Sequence, residues 1–134
     1  MLGRGKGDCF KTVTQKYFAN DLCRHLATMC RMYNDYGSVR RDRVEDNLNS
    51  VDFAEFQAEG SADEAKKALF SLAEYERECL AIALVRLQQA GGQADNWQRK
   101  MAVIRLFCDV TDLYGQLYVV RDMGTRMVQH ERTG

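Results

Sequence analysis

The sequence predicts an all-α protein built from long antiparallel helices, one loop and one tight turn. Three observations carry this. The 134 residues contain no proline, where average usage of about 5% would give roughly seven. Apolar residues recur at threes and fours along three long segments, the mark of helices with a buried stripe. Ser61 with Glu64 opens one segment as a capping box, and Gly91-Gly92 closes it.

Residues 1–8 are Gly-rich and charged, and are expected to lie outside the packed part. Residues 9–45 read as one or two helices. Phe10 and Val13 open the apolar pattern, and Phe18, Leu22, Leu26, Met29 and Tyr33 continue it. Gly37 costs about 1 kcal/mol of helix propensity relative to Ala. Close packing against a neighbouring helix and room for a ligand beside Ser38 both account for it. Residues 46–60 read as a loop, because Asx and Ser side chains compete with helical backbone bonds, with Phe53 and Phe56 anchoring it to the core. The tail Asp52-Phe53-Ala54-Glu55-Phe56 is superficially like the end of a calcium-binding EF-hand loop. With Glu55 as the last ligand, however, Val44 would be the first and Asn49 would stand at the required Gly, which rules that site out.

Residues 61–90 form the clearest helix. Leu69, Leu72, Cys79, Leu80, Ala83, Leu84 and Leu87 make its core face, and Lys66, Lys67, Glu74, Arg77 and Glu78 its solvated side. Residues 96–128 form the last helix, with Asp95 as cap and Gln98 three residues on. Its stripe is Met101, Ile104, Phe107, Cys108, Val110, Tyr114, Leu117 and Tyr118, and residues 129–134 read as a frayed tail.

Composition excludes several functions. Lys plus Arg and Asp plus Glu are equal at 19 each, with a sequence pI near 6.7, so no basic field exists to hold nucleic acid. No apolar run is long enough for a membrane span, and the N-terminus lacks the apolar core of a signal peptide. A cytoplasmic location is the expectation. The five cysteines show no CxxC spacing and the two histidines are too few for a zinc site. The cysteines read as small buried hydrophobes in a reducing compartment.

The stretch richest in chemistry is Tyr33 to Asp42. Asn34, Ser38 and Asp42 are spaced four apart, so on a helix they fall within an arc of about 80° on one face. Arg41 joins them, about 20° to the other side of Asn34. Amide carbonyl, hydroxyl and carboxylate oxygens suit a hard cation such as Mg²⁺, and Arg41 suits an anion beside it. Cys23, Ala27 and Cys30 continue this face upstream with small residues, as the wall of an apolar pocket would. Glu45 shares the face as well. Tyr118 and Arg121 on the last helix are candidates to reach the same anion. No residue stands out as a covalent or acid–base catalyst.

The row Asn34-Asp35-x-x-Ser38-x-x-Arg41-Asp42 resembles the second metal motif of class I terpene synthases, the Asn/Ser/Glu triad with a basic residue before its last ligand. The text from Arg31 to Phe53, together with Asp109-Val110-Thr111-Asp112-Leu113-Tyr114-Gly115-Gln116, is similar to the C-terminal part of fungal bifunctional diterpene cyclases of the ent-kaurene and labdane-related type. The resemblance implies a partial α-bundle of the class I kind over residues 1–134. It also implies Mg²⁺ on Asn34, Ser38 and Asp42, and a prenyl diphosphate, C20 in length, held by Arg41 with Arg121 and Tyr118. Two departures stand out. Asp42 takes the place of the usual Glu, one methylene shorter, and there is no aspartate-rich DDxxD motif. With one metal motif missing and too few residues for a whole class I domain, the chain is expected to be a truncated synthase, inactive alone, with apolar surface exposed and prone to self-association. The alternative is a small helical interaction module in which the row is only a polar helix face.

Overall fold

The computed structural model describes residues 10–57 and 60–133. Four helices and a 3₁₀ turn come in this order: α1 (Val13–Glu45), the turn Ser50–Asp52, α2 (Ala54–Gln57), α3 (Ala62–Gly91) and α4 (Asp95–Thr133). The described residues contain no strand, so the all-α expectation holds. The first segment is one helix. Thr12 caps it, accepting from the Gln15 N–H at 3.0 Å while the Gln15 side chain reaches back to the Thr12 N–H, a capping box not anticipated from sequence. At the other end Asp46 takes a left-handed conformation and its N–H bonds to the Asp42 carbonyl.

α3 runs antiparallel to α1, since His25 meets Glu76 and Tyr33 meets Glu74. α4 runs parallel to α1: Phe10 meets Trp97 and Tyr33 meets Gln116. α1 is therefore the central helix. Its stripe of Leu22, Leu26, Met29 and Tyr33 is buried as expected, against Ala73, Leu80, Ala83, Leu84 and Leu87 of α3 and Trp97, Met101 and Cys108 of α4. Each such large side chain contributes about 1.5–3 kcal/mol on burial. Tyr33, fully buried, ties the three helices together. Its hydroxyl donates to Glu74 and accepts from Gln116 Nε2 at 3.1 Å. Burial and the Glu74 carboxylate push the phenol pKa well up.

Several expectations are corrected. Val13 is exposed, because it lies on the first turn away from the stripe. The 46–60 stretch is not all loop but holds the 3₁₀ turn and α2, and Asn49, Ser50 and Val51, not the exposed Phe53, are buried at its base. Leu72 is exposed. Lys66 is buried rather than solvated. Its ammonium lies 4.6 Å from the centre of the Tyr36 ring and bonds Asp122 at 2.8 Å, which offsets desolvation. Cys23 is exposed, whereas Cys108 is buried. Asp95 is the first helical residue of α4, not its cap, and the helical backbone runs on to Thr133 rather than ending at 128. Residues 1–8 and Cys9 lie outside the described residues.

The largest correction concerns α4. Phe107, Val110, Tyr114 and Leu117 are exposed, and with Val103 and Leu113 they form an apolar face. The buried row is instead Trp97, Met101, Cys108, Gly115 and Val119. α4 is apolar on more than one side, so periodicity alone did not select the covered one.

Gly37 and Gly115 set the approach of α1 and α4. A Cβ on Gly37 would lie 2.7 Å from the Tyr118 carbonyl oxygen, and one on Gly115 would lie 2.7 Å from the Tyr33 ring. Close packing is therefore what Gly37 serves. Gly37→Ala should destabilise the fold by about 1–3 kcal/mol through overpacking. Gly124→Ala, where nothing lies within 4 Å, should be neutral or stabilise by up to about 1 kcal/mol through helix propensity. Urea unfolding of the two variants checks the contrast.

Candidate metal centre

The C-terminal half of α1 presents the row. Ser38 and Asp42 are buried, Asn34 is half-buried and Arg41 is exposed. The Ser38 hydroxyl donates to Asp42 Oδ2 at 2.7 Å, a one-turn contact that helical spacing makes available. Arg41 Nε stands 4.0 Å from Asp42 Oδ1. Burial alone would raise the Asp42 pKa. Hydrogen bonds from Ser38 and Asn49, the Arg41 charge and a further bond from Asn47 outweigh burial and hold the carboxyl below its usual range. Asn34 Oδ1 is buried without a hydrogen-bond partner, a cost that native interiors seldom leave uncompensated.

The structure keeps Asn34, Ser38, Arg41 and Asp42 on one face. It brings Tyr118 to the edge of that face, because the Tyr118 backbone lies against Gly37. Arg121 lies one turn further along α4 and is exposed. Glu45 is exposed and accepts from Asn47 Nδ2 at 2.9 Å. Upstream, Cys23 and Ala27 are exposed and Cys30 half-buried, so these small residues line no closed pocket wall.

Three residues of the site escaped sequence reasoning. Asp35, Asn49 and Ser50 are all buried. Asp35 Oδ2 accepts from the Ser50 N–H at 3.0 Å and from the Ser50 hydroxyl. Asn49 Nδ2 donates to the Asp35 carbonyl and to Asp42 Oδ2, each at 2.9 Å. The loop after α1 thus folds back onto the flank of the row. The available signal was the spacing of Asp35, Ser38 and Asp42, three and four apart, and the Asn49-Ser50 pair as a turn cap.

Among the described residues no group of three or more His, Cys, Asp or Glu could hold a metal ion. A cation on this face would rest on one carboxylate plus amide and hydroxyl oxygens, which is a donor set for Mg²⁺ and not for a thiol- or imidazole-loving metal. The residues present fit such an ion: Asn34 Oδ1 is unpartnered, and Asp42 keeps Oδ1 outside its bonds to Ser38 and Asn49.

Comparison with known proteins finds fungal diterpene synthases. The chain is 50% identical to a pimaradiene synthase of Emericella nidulans over 84% of its own length and 12% of that protein. It is 45% identical to a phyllocladan-16-alpha-ol synthase of Phomopsis amygdali over 93% of its length and 13% of that protein. It is 44% identical to an ent-kaur-16-ene synthase of Fusarium fujikuroi over 94% of its length and 14% of that protein. No protein-family model matches the chain, and no solved structure matches it significantly. Over the stretch it shares with them, the chain is homologous to fungal diterpene synthases. It spans about an eighth of the length of these relatives.

The depressed Asp42 pKa has a measurable consequence. A carboxyl more acidic in the folded state contributes stability that is complete above its unfolded pKa and is lost as pH falls through its folded pKa. The wild type should therefore lose stability relative to Asp42→Asn as pH falls below about 5, and go on losing it below the unfolded carboxyl's range. Urea unfolding across those pH values measures the difference, and a constant offset would contradict it.

Proposed function

We propose that residues 1–134 are the C-terminal portion of a class I terpene synthase domain. The complete enzyme would ionise a C20 prenyl diphosphate with Mg²⁺ and cyclise the resulting carbocation. The observation that carries this reading is the unpartnered Asn34 Oδ1 on the same helix face as Ser38 and Asp42, with Arg41 beside them. The diterpene synthase homology supports the substrate class.

Asn34, Ser38 and Asp42 would hold the cation, which when bound supplies electrostatic stabilisation of the departing diphosphate. Ser38 can serve only through its lone pairs, since its proton is committed to Asp42. Arg41 would take diphosphate oxygens through its forked donors, its exposure leaving the guanidinium free to turn toward them. The Tyr118 hydroxyl and Arg121 would act from α4 on the same anion. Asp42, one methylene shorter than Glu, would hold the cation on a shorter arm.

With a single metal motif, the 134-residue chain would bind but not turn over substrate. α4's exposed apolar face would promote self-association, read as a mass that rises with concentration in light scattering. No helix of the described residues is long and apolar enough to cross a membrane, and the proposal includes a cytoplasmic location. In isothermal titration, pyrophosphate should bind with Mg²⁺ and not without it. Asn34→Ala and Asp42→Ala should each weaken that binding by about tenfold or more, while Arg41→Ala should weaken pyrophosphate binding without abolishing its metal dependence. Binding indifferent to Mg²⁺ would defeat the reading.

A further inference from the structure

We propose that Asn49 is a positioning residue for the metal face: its amide pins Asp42 Oδ2, so that Oδ1, with Arg41 Nε at 4.0 Å, is the oxygen presented to the cation, and the Asp35–Ser50 pair keeps Asn49 in place. This rests on the reading of Asn34, Ser38 and Asp42 as ligands.

Asn49 is 1% exposed and every polar group of its amide is used. Nδ2 donates to the Asp35 carbonyl and to Asp42 Oδ2, and Oδ1 accepts from the Val51 N–H at 3.0 Å, capping the 3₁₀ turn. Only an amide supplies two donors and an acceptor in that arrangement. On Asp42, Ser38 and Asn49 converge on a single oxygen from two directions. Two donors on one oxygen fix both torsions of so short a side chain, and hence the direction of the other oxygen. The rotamer entropy is then lost on folding and not on cation binding. Ser50 secures this from the loop side, with its N–H and its hydroxyl both on the buried Asp35 carboxylate, and Arg31 Nε at 3.4 Å from the same oxygen.

Mg²⁺ makes this matter. It demands near-octahedral geometry at about 2.0–2.1 Å, whereas Ca²⁺ tolerates irregular sites at about 2.3–2.6 Å. A residue that sets the direction of a ligand oxygen should therefore affect Mg²⁺ more than Ca²⁺. A residue that merely stabilises the loop should affect both equally.

The test titrates inorganic pyrophosphate calorimetrically in Mg²⁺ and in Ca²⁺ against the wild-type chain, Asn49→Ala and Val51→Ala. Val51 is buried on the same loop, and its side chain makes none of the row's hydrogen bonds. Asn49→Ala should weaken the Mg²⁺-dependent affinity by about tenfold or more and the Ca²⁺-dependent affinity distinctly less. Val51→Ala should leave the ratio of the two unchanged, whatever it does to the melting temperature. If Asn49→Ala fails to fold, Asn49→Ser, which keeps an acceptor for the Val51 N–H but falls short of Asp42, carries the same test. Equal losses in both cations, or no loss, would overturn the role of Asn49 alone. A wild-type chain that binds pyrophosphate without regard to metal would overturn the metal reading, and the role of Asn49 with it.

Discussion

Two glycines let α1 and α4 touch. At Gly37 the Tyr118 backbone occupies the space a Cβ would need, and at Gly115 the Tyr33 ring does the same. This close approach governs the geometry of the core and of the polar row together. It buries Tyr33 between three helices, where Glu74 and Gln116 satisfy its hydroxyl. It also fixes the register of α4 along α1, and so brings Tyr118 beside the polar row. A bulkier residue at either position would push α4 outward and move that edge with it.

The other flank of the row is fixed by polar chemistry instead. Burying Asp35, Asp42, Asn49 and Ser50 is costly unless each finds partners. Here the bonds interlock: Ser50 on Asp35, Asn49 and Ser38 on Asp42, and the Asn49 carbonyl oxygen on the Val51 N–H of the 3₁₀ turn. Such a network is stable only when complete, which makes the orphaned Asn34 Oδ1 beside it informative. A chain that satisfies its neighbours so fully leaves one oxygen without a partner at the position where a cation would sit.

What could be read from sequence was what is local. Helix existence, the Ser61 and Gly91–Gly92 boundaries, the α1 stripe and the four-residue spacing of the row all depend on residues within a turn or two of one another, and all appear in the structure. What could not be read needed tertiary information. Lys66 is amphipathic, and only the arrival of Tyr36 and Asp122 makes it a buried residue. α4 carries apolar residues on two faces, and only its meeting with α1 selects Trp97, Met101 and Cys108 over Phe107, Val110 and Tyr114. Asn49 and Ser50 gain meaning only once the chain reverses onto α1. The Asn34–Asp42 motif was legible because a helix carries its geometry in its spacing; its flanks were not, because a loop and a second helix supply them.

A divalent cation, with a diphosphate, is proposed to sit on the Asn34–Ser38–Asp42 face between Tyr118 and the Asn49–Ser50 loop. Paramagnetic relaxation locates it most directly, with Mn²⁺ in place of Mg²⁺ and pyrophosphate present while backbone amide signals are recorded. Broadening should centre on Asn34 to Asp42 and on Asn49 and Ser50, reaching Tyr118 and sparing Trp97 and Lys100 at the far end of the bundle. Broadening centred on acidic residues elsewhere, such as Asp95 at the start of α4, would contradict it.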